Sequence, residues 1–252
     1  MEFRLEGNAA MPKQRPTSAV QDLQIAIDGP VAAGKTTVAR ATARRLGVLY
    51  LDTGAMYRAL AYLALRTGTD VDNGAALARL MAAAPIEVEL DESAQLGFRI
   101  SAGGRDLDEA ALLSKDVTAI VSAVSAHAQV RSEMVSAQRR IARKKPVVMA
   151  GRDIGTIVLP DAPVKIYLTA SAPARIERRR NQLEQAGVDV DVHRLAEEIE
   201  ERDRLDQTRA VSPLTIATDA HIIDSSNIDA ERVVDEICLI VERACHPATG
   251  SG

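Results

Sequence analysis

This chain of 252 residues has no tryptophan, two phenylalanines and four tyrosines, and aromatics make up 2% of it. That leaves little for the stacking platforms on which single-stranded nucleic acids lie. There is no positive excess either. Against 31 Lys+Arg stand 35 Asp+Glu, a formal net charge of −4, the opposite of what coats a polyanion. Cysteine is confined to Cys238 and Cys245, which make neither a disulfide framework nor a zinc site and suit helix residues in a reducing compartment. His127, His193, His221 and His246 share no metal-ligand spacing. No apolar run reaches the roughly 18–20 residues of a membrane span. Residues 1–20, polar with Pro12 and Pro16, lack the apolar centre of a secretion signal. The expectation is a cytoplasmic monomer acting on small molecules, with no nucleic-acid or membrane partner, a disordered leader over 1–21 and a tail over 245–252.

What is present is an aliphatic core, 46% of residues being hydrophobic, and a glycine-rich loop in a telling context. Ile25, Ala26 and Ile27 form a short apolar run suited to a buried parallel strand. Then follow Gly29, Pro30, Val31, Ala32, Ala33, Gly34, Lys35, Thr36 and Thr37, which contain the full phosphate-loop pattern, and after them a helical stretch to Leu46. Glycines let successive backbone N–H groups turn toward phosphate oxygens, and the helix adds its positive N-terminal end. Lys35 would place a mobile charge on the outer phosphates, and the Thr36 hydroxyl suits Mg2+ held with a bound nucleotide.

The rest alternates as an α/β chain. Strands are expected at Gln24–Asp28, Val48–Leu51, Pro146–Ala150, Val164–Thr169 and Ala220–Asp224. Helices are expected between them, Thr53 reading as an N-cap and Gly187 as a helix end. Open parallel sheets bind ligands beyond the C-terminal ends of their strands, so the loops at Gly29 and Asp52 should be neighbours. Over 85–108 the period changes to two, with Gly103-Gly104 as a hairpin turn, an antiparallel insertion read as a separate lobe. In the helix over 191–209, Leu195 and Ile199 mark an apolar face that continues onto Arg202, Asp206 and Arg209. Charges on that face either pair with one another or meet a polar ligand.

Taken together, several stretches resemble the bacterial cytidylate kinases of the nucleoside monophosphate kinase group: Ile27-Asp28-Gly29-Pro30 with Gly34-Lys35, Leu51-Asp52-Thr53-Gly54-Ala55-Met56-Tyr57-Arg58, Gly151-Arg152-Asp153-Ile154-Gly155-Thr156, Pro160 to Lys165, and Glu201-Arg202-Asp203 with Arg209-Ala210. The resemblance spans about 22–244. It implies a three-layer α/β phosphate-loop kinase fold with a parallel central sheet, a small antiparallel insertion lobe and a helical lid. The implied divisions are a core of 22–72, 143–172 and 210–244, a monophosphate lobe of about 73–142 and a lid of about 173–209. The implied reaction is phosphoryl transfer from ATP with Mg2+ to CMP or dCMP. Gly29–Thr37 would hold ATP, and Thr53 and Asp153 the cytosine amino group, with Arg131 and Arg209 on its other polar atoms. Arg58, Arg152 and Tyr57 would take the acceptor phosphate, and Ser122, Arg202 and Asp206 the sugar. Lys35, Arg58, Arg152 and the lid residue Arg178 would carry the catalytic charge. Three departures stand out: Ala32 in place of a loop glycine, Thr53 in place of serine, and Leu205 in place of a charged residue. Asp52 is open between a water-mediated Mg2+ contact and a loop cap. A kinase of AMP, UMP or shikimate would share the fold and differ in the acceptor pocket. A guanine-nucleotide switch would need an Asn-Lys-x-Asp motif that this chain lacks.

Overall fold

The computed structural model describes residues 23–91, 94, 97–185 and 187–245. The expected leader, His246 and most of the tail lie outside these residues. The apolar run becomes strand β1 (Gln24–Asp28), with Ile25, Ala26 and Ile27 wholly buried. A strand hidden on both faces needs helical layers above and below, and parallel strands supply the crossovers that make them. The sheet is five-stranded and parallel, in the order β2 (Leu49–Asp52), β6 (Val147–Ala150), β1, β7 (Val164–Thr169), β8 (His221–Asp224). Helix α1 (Lys35–Leu46) packs on α9 (Ala230–Cys245) and against β2 and β6. Helices α2 (Thr53–Thr67), α3 (Gly74–Ala83), α5 (Lys115–Ala126) and α6 (Ala128–Ala142) pack among themselves.

Register decides which loops meet. Asp52 is level with Ala150, and Ala150 with Ile27. The segments leaving β2, β6 and β1 therefore emerge side by side, at the strand ends where chain order reverses across the sheet. Gly29 is fixed by close approach. A β-carbon there would lie 2.0 Å from the Leu168 carbonyl oxygen, and its φ is +150°. Ala32 has φ +57°, a left-handed conformation that disfavours any residue with a β-carbon. The departure from glycine is thus a strained alanine.

The insertion is a three-stranded antiparallel sheet, β3 (Ile86–Leu90), β4 (Phe98–Ala102) and β5 (Arg105–Asp106). Its apolar face is not a separate core. Ile86, Phe98 and Ile100 join the main buried cluster, and the Phe98 ring lies 5.7 Å from that of Tyr50 on β2. Other differences from the sequence reading are local. The α2 cap is Asp52, whose carboxylate accepts from the Gly54 amide at 2.9 Å, while Thr53 is the first helical residue. A short helix α4 (Glu109–Leu112) and a π-helical turn (Ile154–Val158) were not expected. Helices α7 (Ala172–Gln185) and α8 (Val192–Thr208) complete the chain order.

Candidate active site

The β1 loop closes on itself. Lys35, 8% exposed, donates from Nζ to the Pro30 carbonyl at 2.6 Å. Burial and the neighbouring Arg152 hold its pKa well below the usual lysine range. The Thr36 hydroxyl donates to the Asp52 carboxylate at 3.2 Å, which makes the two loops neighbours. Asp52 therefore does two things: one oxygen caps α2 and the other meets the phosphate loop.

Asp28 ends β1 inside the protein. Its carboxylate accepts from the Ile154 and Gly155 amides at 2.8 and 2.7 Å, joining the phosphate loop's strand to the turn behind Asp153. Burial pushes this carboxyl up to about 6, against the pull of the two amide bonds. Since its folded pKa exceeds the ordinary 3.8, the unfolded chain ionises first. The stability it contributes is complete below about pH 3.8 and is lost as pH rises to about 6. The stability difference between wild type and Asp28→Asn, from urea titrations, is expected to move against the wild type by up to about 3 kcal/mol between about pH 4 and about pH 7. A difference that does not change with pH would contradict this.

Behind β6, Asp153 is 6% exposed and Arg131 3%, and they form a buried ion pair. The Arg131 guanidinium also lies 5.6 Å from the centre of the Tyr57 ring, whose hydroxyl is pushed up to about 12, chiefly by burial. Arg209 approaches the second Asp153 oxygen at 3.8 Å. Among the described residues, the buried Arg131 Nε and Arg209 Nη2 find no hydrogen-bond acceptor. Thr53 gives its hydroxyl hydrogen to the Ala150 carbonyl at 3.0 Å, so toward the space in front of it only lone pairs remain. Asp206 accepts from Arg152 at 2.6 Å and lies 3.6 Å from Arg209. Of the two options left open for the α8 charges, pairing is thus realised for Asp206 and Arg209. Burial and nearby guanidinium groups pull down the pKa of Arg202 and Arg209. Burial also pulls down that of Arg58, which donates to Thr118 at 2.9 Å.

Lys35, Thr36, Asp52 and the arginines and aspartates of the β6 side line one cleft of about 2350 Å³, and Asp28 lies behind it. Of the residues nominated from sequence, only Gly29, Pro30 and Ala33 lie behind its surface. The phosphate loop, Thr53, Tyr57, Arg58, Ser122, Arg131, Arg152, Asp153, Arg178, Arg202, Asp206 and Arg209 line it. Eleven basic and three acidic side chains line it in a chain of net charge −4, which makes it an anion site. Arg178 donates to the Ala33 carbonyl at 3.4 Å and to the Ser225 hydroxyl at 3.0 Å, at the back of the phosphate loop.

Two charged residues in contact with the loop were not nominated. Asp203, 9% exposed, accepts from the Val31 amide at 3.0 Å and pairs with Arg175, which donates to the Val31 carbonyl at 3.1 Å. A signal was present for Asp203: Leu195, Ile199 and Asp203 stand at i, i+4 and i+8, which puts a carboxylate in the middle of the apolar face.

A parallel sheet with a glycine loop at its reversal point, opening on a cationic cleft, defines a phosphate-loop kinase. The family model for cytidylate kinase matches residues 25–243. A cytidylate kinase of Pelotomaculum thermopropionicum is 48% identical over 213 residues, covering 84% of this chain and 93% of that one. One of Bacillus cereus is 47% identical over 219 residues, covering 87% and 96%. A bifunctional pantoate ligase/cytidylate kinase of Synechococcus is 44% identical over 92% of this chain and 43% of its own. Among solved structures, a shikimate kinase of Bacteroides thetaiotaomicron covers 87% of this chain and 98% of its own at 15% identity and a TM-score of 0.44, too remote to carry an argument. The chain belongs to the cytidylate kinase family, and the activity that goes with membership is phosphoryl transfer from ATP to CMP or dCMP.

Proposed function

We propose that the cleft seats CMP or dCMP with its base against Thr53, Asp153, Arg131 and Arg209, opposite ATP held on Gly29–Thr37. The observation that carries this reading is the donor and acceptor pattern of the wall. Cytosine presents an amino donor at position 4 and acceptors at N3 and O2. Thr53 can only accept, Asp153 accepts, and the Arg131 and Arg209 guanidinium groups on the same wall can only donate. Uracil would set its position-4 oxygen against acceptors and its N3 hydrogen against a guanidinium. Each buried group so stranded costs about 1–3 kcal/mol, so two mismatches amount to about 10²-fold discrimination or more.

The acceptor phosphate sits among Arg58, Arg152 and Tyr57, with the sugar between Ser122, Arg202 and Asp206. Asp206 orients Arg152 through its 2.6 Å bond. The acceptor is already an anion, so no side chain has to remove a proton from a nucleophile. Catalysis consists of cancelling repulsion between two polyanions and holding them in line. Lys35, released from the Pro30 carbonyl, supplies charge at the transferred phosphate, and Arg178 supplies it from the side of α7. The helices α7 and α8, covering the cleft as a lid, keep water from the transferred group.

Thr36 and Asp52 fit Mg2+. They place two hard oxygens together at the loop's mouth. Among the described residues no group of three His, Cys, Asp or Glu is positioned for a metal, so nucleotide phosphates and water would complete the shell, as Mg2+ prefers. When bound, the ion neutralises phosphate charge. No helix among the described residues is long and apolar enough to cross a membrane. We read it as cytoplasmic, where its charged nucleotide substrates are, and as a monomer.

The test is a coupled ADP-release assay over CMP, dCMP, UMP and AMP. CMP and dCMP are expected to exceed UMP in kcat/KM by about 10²-fold or more. Equal rates with UMP would overturn the cytosine assignment and leave the kinase standing.

A further inference from the structure

Val31 is the residue before the strained Ala32, and both peptide groups around it are held from outside the loop. Its N–H donates to Asp203 Oδ1 at 3.0 Å. Its C=O accepts from Arg175 Nη1 at 3.1 Å, and that same nitrogen pairs with the other Asp203 oxygen. The carbonyl belongs to the peptide that joins Val31 to Ala32. Rotation of that peptide changes ψ of Val31 and φ of Ala32 together, and it is the motion by which Ala32 would leave its left-handed φ of +57°. For a residue with a β-carbon, the left-handed state is disfavoured by roughly five- to thirtyfold in population, and glycine has no such penalty. The pin and the strain therefore meet at one peptide.

We propose that Arg175 and Asp203 are positioning residues for the ATP grip: by clamping the Val31 peptides from α7 and α8, they hold Ala32 in the left-handed conformation that the phosphate loop requires. Neither residue lines the cleft. Their charges are spent on each other and on the loop backbone, and through them both helices are tied to the Val31 peptides. The proposal rests on the reading that the loop holds ATP.

The test compares wild type, Arg175→Met, Ala32→Gly and the double variant, with folding checked by thermal melts, by KM for ATP and for CMP and by direct ATP titration. Arg175→Met is expected to raise KM for ATP by roughly tenfold, since about 1.4 kcal/mol of loop strain is then unopposed. KM for CMP should stay within about twofold. In the Ala32→Gly background, the same substitution should raise KM for ATP by no more than about threefold, because glycine needs no clamp. Equal penalties in both backgrounds, or equal rises in both KM values, would overturn the proposal. Should Arg175→Met not fold, Arg175→Lys and Asp203→Asn are read by the same ratio. Lys35→Ala separates the two levels of inference. If it weakens ATP binding while Arg175→Met does not, the clamp is wrong and the ATP site stands; if neither does, the ATP assignment itself falls.

Discussion

Replacing Lys35 by alanine is expected to lower kcat by about 10²–10³-fold, the loss typical of removing one preorganised charge from a developing transition state, while the fold survives. Lys35 is buried in a cleft already crowded with guanidinium groups, and burial and Arg152 pull its pKa down. A lysine whose folded pKa lies below the ordinary 10.5 is a liability to the unliganded protein. Between the folded value and 10.5 the unfolded chain binds more protons, so this group makes stability rise with pH across that window. Lys35→Met, which keeps the aliphatic stem, should melt no lower than wild type at neutral pH and should flatten that rise. Loss of activity without loss of melting temperature is the expected signature. A variant that lost both together would mark Lys35 as a structural residue, its bond to the Pro30 carbonyl worth more than its charge.

The phosphate loop was legible in sequence because its physics is local. The glycines, the lysine and the flanking strand and helix are contiguous, and the backbone does the binding. The acceptor wall was legible through the resemblance in its motifs. Composition alone said only that arginines abound, 25 of the 31 basic residues. Helical spacing found Arg202, Asp206 and Arg209 but stepped from Ile199 by three, and so passed over Asp203 at the equally good step of four. Arg175 had no signal of its own, since α7 has no buried residue and its arginines look alike in sequence. The turn at Ile154–Val158 depends on Asp28, more than a hundred residues away, accepting two amides. A contact of that kind exists only after the sheet has formed. Thr53 was taken for the cap because it is a good one by type. The hydroxyl was instead drawn to the Ala150 carbonyl, and the neighbouring carboxylate took the helix end.

Asp153→Asn is expected to cut kcat/KM for CMP by about 10²–10³-fold, with KM for ATP unchanged within about twofold. It should also narrow the preference for CMP over UMP. The aspartate is an acceptor on both oxygens, whereas asparagine offers one acceptor and one amino donor, and that donor can meet the position-4 oxygen of uracil. Stability moves separately. Asp153 neutralises the buried Arg131 and faces Arg209; asparagine keeps a hydrogen bond to that guanidinium but removes its counter-charge, a loss of up to about 3 kcal/mol. Asp153→Ala, which leaves the buried guanidinium without its counter-charge, should cost about 3–5 kcal/mol. Adding Arg131→Met to Asp153→Ala removes the stranded charge and should recover much of that loss. CMP use should not return with it, because the wall then keeps only Thr53 to accept from the amino group and only Arg209 to donate to the ring. Recovery of stability without recovery of CMP use separates recognition from folding at one ion pair. If instead ATP affinity fell and CMP affinity held in Asp153→Asn, the base would have to sit elsewhere in the cleft.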